Sequence, residues 1–190
     1  MATTLPGIPM STNSSTSPLA VIDLLNSLLE AEMNSYFRFM GEGSPYLSRA
    51  TVEVRRPLQE MMLAERRRAG ELADLIDSLG TVPTPQVGIR RDEQFLAYLS
   101  LKFLLPKLVE EKKLDVQRYE NAIRGITPFP SVPPEVPAVL SAHLAQLRGE
   151  LTALEQAAAH VADASKDGKK DPSQPAAGTR KHSDAGPAAG

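Results

Sequence analysis

The stretch AERRRAGEL, residues 64–72, places side chains of both charge signs on a helix face that is otherwise apolar. Glu65 and Arg68 continue the three-to-four-residue spacing of the apolar residues on either side, whereas Arg66 and Arg67 can point to water. An ionised side chain on a buried helix face is costly unless it is paired or bound to a metal ion. Glu65 and Arg68 are therefore the first candidate site residues, and the chemistry they suggest is metal binding or internal ion pairing.

The other long apolar patterns also carry ionisable residues near their middle. Carboxylate oxygens are sufficient ligands for iron and other hard cations. A buried lysine or arginine among them would neutralise them instead, because its positive charge takes the place of a metal ion. The residues in question are Glu32 on the first segment, Glu111, Lys112 and Asp115 on the third, and Glu150 on the fourth.

Four amphipathic helices are expected to position these residues. The first begins at a Ser17 cap with Pro18 in its first turn, and its apolar stripe continues to Met40. The second ends at Gly80, and Pro57 marks either a kink in it or its true start.

The third helix is expected from about Asp92 to Arg124, with a bend at Pro106. The fourth follows the proline-rich turn ITPFPSVPPEVP and continues to Val161. Strand patterning is nowhere evident. Four stripes of this length predict an all-α, antiparallel four-helix bundle.

The connection between the second and third helices decides the topology. It contains TVPTPQVGIRR, and at ~3.3 Å per extended residue it spans a helix of about 45 Å only if it is nearly straight. A long crossover that leaves these two helices parallel is therefore feasible, and an up-down-up-down order stays open.

Composition narrows the class of protein. The chain has 190 residues, of which 42% are hydrophobic, so it can bury one good-sized core. A formal net charge of −2 gives no overall attraction to nucleic acid or to anionic membranes. Cysteine is absent, which excludes disulfides and thiolate metal sites. With no signal peptide pattern and no apolar run of about 20 residues, we expect a soluble, cytoplasmic protein.

The two ends differ in composition from the middle. Residues 1–16 are rich in Thr, Ser, Pro and Gly, and residues 165–190 lack every large apolar side chain. Such segments cannot offset their ordering entropy by burial. We expect a disordered N-terminal segment at 1–16, the bundle at 17–164, and a disordered, low-complexity tail at 165–190.

The four helical segments together resemble the ferritin-like, bacterioferritin-type bundle. The resemblance covers residues 18–163 and rests on LLEAE, AERRRAGELADLIDSLGTVP, EEKKLDVQRYENAI and LRGELTALE. It implies a bundle in which two metal ions lie mid-way along the helices. A Glu from each of two helices and a Glu-x-x-His pair from each of the other two hold these ions.

The ligand positions implied by the resemblance are only partly filled. Glu32 falls on the position of the first helix, or Leu29 if Tyr36 sets the alignment, and Glu65 falls on that of the second. Other residue types occupy the rest: Arg68 in place of the second helix's His, Lys112 beside Glu111 on the third helix, and Leu147 and Glu150 as the Glu and His positions of the fourth. No Glu-x-x-His occurs in the sequence.

The resemblance therefore implies a degenerate dimetal site. Cations of the protein, Arg68 and Lys112, replace the metals among Glu32, Glu65 and Glu150, and Arg68 is suited to a bidentate pair with one carboxylate. This favours a non-catalytic structural or interaction module with no cofactor, whose partner is a second copy or another protein. Ferroxidase chemistry is not supported by these ligands. The alternative is an iron-binding or iron-storage-like protein that uses Glu32, Glu65, Glu111, Asp115 and Glu150.

Simpler interpretations exist for each of these residues. Arg68 and Lys112 are long enough to reach water along the bundle edge. Glu32 and Glu150 lie toward the edges of their stripes, where they could be solvated. The histidines, of which only His143 is near the core, are expected at surface or rim positions; they are His143, His160 and His182.

Overall fold

The computed structural model describes residues 18–41, 52–88, 99–127 and 132–167. These ranges contain five helices and no strand, which confirms the all-α class. The helices are α1 (Pro18–Met33), α2 (Tyr36–Gly41), α3 (Val52–Ser78), α4 (Leu101–Ile126) and α5 (Glu135–Asp167). The expected Ser17 cap and both predicted terminal segments, apart from residues 165–167 at the end of α5, lie outside the described residues.

The first predicted helix is interrupted, so the expectation of one helix up to Met40 is wrong. A turn at Asn34 and Ser35 separates α1 from α2. Ser35 is the N-cap of α2, because its Oγ accepts a hydrogen bond of 3.4 Å from the backbone N–H of Arg38. The N–H of Tyr36 donates to a carboxylate oxygen of Glu111 at 2.9 Å. Side chains thus satisfy backbone groups that a continuous helix would have paired internally.

The second and third predicted helices also differ at their N-terminal ends. α3 begins at Val52, so Pro57 lies inside it and does not mark its start. α4 begins only at Leu101, and Ser100 before it is extended (φ −66°, ψ 155°), so a continuous helix from Asp92 is wrong. Residues 92–98 lie outside the described ranges. Pro106 lies in the second turn of α4.

Gly80 terminates α3 as predicted. Its φ is +79°, a left-handed conformation that favours glycine. The N–H of Gly80 donates to the carbonyl of Asp77 at 2.9 Å, and the N–H of Thr81 donates to that of Ile76 at 3.4 Å. This pair of hydrogen bonds is a Schellman motif, which closes the carbonyl end of the helix.

Two asparagine side chains of the first helical region attach the segment after Gly80 to the bundle. Asn26 Oδ1 accepts from the N–H of Thr84 at 2.8 Å. Asn34 uses both ends of its amide, donating to the carbonyl of Gln86 at 2.9 Å and accepting from the N–H of Gly88 at 3.1 Å. The start of the connection is thereby held against α1.

The helices enclose two apolar clusters. α1 packs against α3 and α4, α5 packs against the same two helices, and α2 also contacts both. The first cluster joins the body of α1 to the C-terminal halves of α3 and α4 and the N-terminal half of α5; it includes Leu25, Leu72, Ile76, Tyr119, Ile126 and Leu140. The second joins α2 to the opposite halves of α3, α4 and α5; it includes Phe37, Leu58, Leu105, Leu108 and Leu154.

No helix within the described ranges has both the length and the apolar character needed to cross a membrane.

Two glycines allow the role of backbone conformation to be measured. Gly80→Ala should destabilise the protein by about 1–2 kcal/mol, because alanine is strained in the left-handed region. Gly70 is the control: it lies in the middle of α3, and a Cβ added there meets nothing within 4 Å. Gly70→Ala should stabilise the protein by about 0.5–1 kcal/mol by lowering the entropy of the unfolded chain. Urea unfolding measures both, and changes of the same sign would contradict the Schellman assignment.

Candidate functional site: a buried ion network

A layer of polar side chains lies between the two apolar clusters. All six residues of the predicted network are buried there: Glu32, Glu65, Arg68, Glu111, Lys112 and Glu150. Ser35, Asp115 and His143 are buried with them. Leu29 and Leu147 instead pack in the first apolar cluster. On α1 it is therefore Glu32 that enters the polar layer.

Arg68 links three helices through its guanidinium. Its side chain is 0% exposed, so it does not reach water along the bundle edge. Nε donates to Glu32 Oε1 on α1 at 2.9 Å, and Nη1 donates to Glu150 Oε1 on α5 at 2.6 Å. The expected bidentate pair with one carboxylate is wrong, because the two nitrogens bind two carboxylates. Burial acts to lower the pKa of Arg68, but Glu32 and Glu150 outweigh it and raise that pKa above its usual value.

Lys112 approaches Glu150 from α4. Its side chain is also 0% exposed, and Nζ lies 3.1 Å from Glu150 Oε2 without the geometry of a hydrogen bond. Nζ also lies 4.6 Å from the centroid of the Phe37 ring on α2, where the ring face attracts a cation. Glu150 therefore has a cation close to each of its oxygens, Arg68 at one and Lys112 at the other.

Glu65 is a further carboxylate of the layer, and burial opposes its ionisation. Burial raises the pKa of Glu65 to about 8, and repulsion from Glu32 adds to this, although Lys112, Ser35 and Arg68 act in the opposite direction. Ser35 Oγ, at the break between α1 and α2, donates a hydrogen bond to Glu65 Oε1. At neutral pH most Glu65 side chains are therefore uncharged. Arg68 and Lys112 then pair with the carboxylates of Glu32 and Glu150, and Glu65 adds little negative charge beside them.

Glu111 and Asp115 lie on the same face of α4 but have separate partners. Glu111 accepts the N–H of Tyr36 and so helps to hold the start of α2. Burial raises the pKa of Asp115 to about 6, against the opposing effects of Lys112 and Arg118. Arg118 Nη1 donates to Asp115 Oδ1 at 2.6 Å. Both carboxylates thus bind protein donors.

The sequence did not indicate a second set of contacts, which leads from the network to the surface. Tyr119 O–H donates to Glu32 Oε1 at 2.9 Å and lies 3.3 Å from His143 Nδ1. His143 Nε2 lies 2.7 Å from Glu71 Oε2. Burial, followed by the charge of Glu32, raises the pKa of Tyr119 well above its usual value. The hydroxyl therefore stays protonated and can donate one hydrogen bond.

The expectation for His143 was wrong, since this residue is 2% exposed. Its spacing from Leu140 and Leu147 places it on the buried face of α5, and this periodicity was the signal available in the sequence. His160 is exposed as expected, and His182 lies outside the described residues.

The carboxylates do not converge as metal ligands in this arrangement. Among the described residues, no three His, Asp or Glu side chains are grouped so that they could hold a metal ion. The geometry instead gives a set of charge-assisted hydrogen bonds between helices, in which protein cations bind the carboxylates.

Removing the guanidinium of Arg68 should leave buried carboxylates without the cation that binds them. Arg68→Met leaves Glu32 and Glu150 with Lys112 as their remaining cation and should cost about 3–5 kcal/mol in the free energy of unfolding. Arg56→Met is the matched control, because Arg56 lies on the same helix and pairs with Glu60 at 2.8 Å in an exposed position. No measurable change is expected there. Equal effects of the two variants in urea unfolding would contradict the energetic importance of the buried pair.

The proton on Glu65 should make stability depend on pH. Burial raises the pKa of Glu65 from its usual 4.5 to about 8, so the folded state holds this proton more tightly. Its contribution is present below pH 4.5 and is lost as pH rises toward about 8. Glu65→Gln keeps an oxygen for Ser35 and cannot ionise. The variant should therefore gain stability relative to the parent with rising pH, as measured by denaturant titrations at several pH values. A constant difference would mean that Glu65 ionises normally.

Comparison of the chain with models of known families, with curated proteins and with solved structures gave no match.

Proposed function

We propose that the chain is a ferritin-like bundle in which protein cations have replaced the two metal ions, and that it acts as a non-catalytic structural or interaction module. The arrangement of the apolar clusters supports the topology. The C-terminal halves of α3 and α4 share the first cluster, and their N-terminal halves share the second. Parallel α3 and α4 require a connection that returns along the bundle, as in the ferritin-like crossover.

The single observation that carries the proposal is the position of the Arg68 guanidinium. It hydrogen-bonds to Glu32 and Glu150 from opposite helices, at 2.9 and 2.6 Å, in the polar layer between the two apolar clusters. Mid-bundle is where the ferritin-like family holds its metals. A fixed positive charge there repels a divalent ion, and the repulsion is stronger in a buried site than in water.

Lys112, on α4, supports the same interpretation. Its Nζ, 3.1 Å from Glu150, adds a second positive charge, and protonation of Glu65 removes one negative charge from the layer. A network of this kind makes ionic contacts between α1, α3, α4 and α5. We therefore assign it a role in holding the bundle together.

The interaction role is supported by the outer face of α4. Phe103 and Leu114 are both more than half exposed. They are eleven residues apart, which places them on one side of a helix. An exposed apolar pair of this kind offers a contact for a second copy of the chain or for another protein.

Iron analysis of two proteins should separate this function from carboxylate-based iron binding. The parent protein and the variant Arg68→His, Lys112→Glu, Leu147→Glu are purified from iron-supplemented cells, and iron per chain is measured by atomic spectroscopy. We expect background iron in the parent protein. The triple variant should retain iron and become more stable when the metal is added, because the three changes restore ligands at the positions that the resemblance implies.

Arg68→Met is the control, since it removes the cation without supplying a ligand, and it should stay at background. Stoichiometric iron in the parent protein would replace our proposal with the alternative, binding through Glu32, Glu65, Glu111, Asp115 and Glu150. A triple variant that folds without iron and does not bind it would show that the site has been assigned to the wrong positions.

A further inference from the structure

A line of polar contacts runs from solvent to the centre of the bundle. It begins at Glu71 on α3, whose side chain is 48% exposed. It continues through His143 on α5 and Tyr119 on α4 to Glu32 on α1, with successive distances of 2.7, 3.3 and 2.9 Å. Glu32 Oε1 also accepts from Arg68. We propose that His143 is a pH-responsive switch that transmits its protonation state, through the Tyr119 hydroxyl, to the Glu32–Arg68 pair.

The number of protons determines which hydrogen bonds can form together. Tyr119 has one hydroxyl proton, and when it is donated to Glu32 the tyrosine oxygen can only accept from His143 Nδ1. Glu71 is a carboxylate and accepts a proton from His143 Nε2. All three hydrogen bonds therefore form at once only when both ring nitrogens of His143 carry protons, which is the imidazolium form.

When His143 loses one proton, only two of the three hydrogen bonds can be kept. If the proton leaves Nδ1, Nε2–H still binds Glu71, and the bare Nδ1 becomes an acceptor for the Tyr119 hydroxyl. That hydroxyl then leaves Glu32, which keeps its hydrogen bond from Arg68. If the proton leaves Nε2, a lone pair faces the carboxylate of Glu71, which is unfavourable. The first outcome is favoured, so loss of the Nδ1 proton of His143 withdraws the Tyr119 donor from the buried network.

The groups facing His143 come from both helices that pack on α5. On α3, the carboxylate of Glu71 lies 2.7 Å from His143 Nε2, and the Nε of Arg67 lies 3.8 Å from Glu71 Oε1. On α4, Tyr119 faces the ring edge-on with the ring centroids 5.7 Å apart. On α1, Glu32 acts through Tyr119. Because Glu71 is half in solvent, protons can reach the otherwise buried ring.

NMR of the folded protein with ¹⁵N-labelled histidine and arginine tests this coupling. As pH is raised, the ring nitrogens of His143 should change from two protonated nitrogens to a protonated Nε2 and a bare Nδ1. The Arg68 Nε–H signal should move with the same midpoint, because Glu32 loses the Tyr119 donor. His160, exposed on the same helix, is the internal control, and its titration should leave Arg68 unaffected.

Two variants distinguish transmission through Tyr119 from a general effect of charge. In Tyr119→Phe, His143 should still titrate, but the shift of the Arg68 signal at that midpoint should be lost. In Glu71→Gln, a change at the solvent end of the line, any shift in the midpoint of His143 should be matched by the same shift for Arg68. The proposal is overturned if the Arg68 signal does not shift when His143 titrates in the parent protein. The proposal is also overturned if His143 keeps one protonation state throughout, or if the Arg68 signal responds equally in Tyr119→Phe.

Discussion

The hydrogen bonds from the Arg68 guanidinium to Glu32 and Glu150 are the constraint on which the rest of this bundle depends. Taking these charges out of water costs several kcal/mol per ion, an effect offset only by good geometry and further hydrogen bonds. The guanidinium meets this need because its nitrogens diverge, so one side chain on α3 reaches carboxylates on two other helices. Lysine presents a single ammonium, and the Nζ of Lys112 lies 3.1 Å from Glu150.

Other features of the structure around Arg68 also stabilise these buried charges. Burial raises the pKa of Glu65 to about 8 and keeps it largely protonated, which lessens the negative charge beside Glu32. The break between α1 and α2 brings Ser35 to Glu65 as a donor, while the same turn presents the N–H of Tyr36 to Glu111. The irregular backbone therefore lies beside the polar layer because the carboxylates there accept its donors. The flanking apolar clusters keep the layer in a low-dielectric environment, where these contacts are strong.

The sequence predicted the helical class, the end of α3 at Gly80 and the burial of all six network residues, because apolar periodicity and local turn chemistry are encoded in neighbouring residues. It did not predict the break at Ser35. The apolar spacing of Met33, Tyr36 and Met40 continues through it, and the compensating contacts come from distant residues. The pairing of Arg68 with two carboxylates depends on how α1 and α5 are placed around α3. The prediction for His143 was wrong because its spacing from Leu140 and Leu147 places it on the buried face of α5.

The polar layer between two apolar clusters also fixes how the helices align lengthwise. Apolar contacts are nonspecific enough that a helix could slide by one turn, about 5.4 Å, and still bury leucines. In this bundle the same slip would carry Arg68 or Lys112 away from Glu150 and into an apolar cluster, at the cost of an unpaired buried charge. The charged layer thus acts as a register mark, much as a single buried polar residue sets the alignment of a coiled coil.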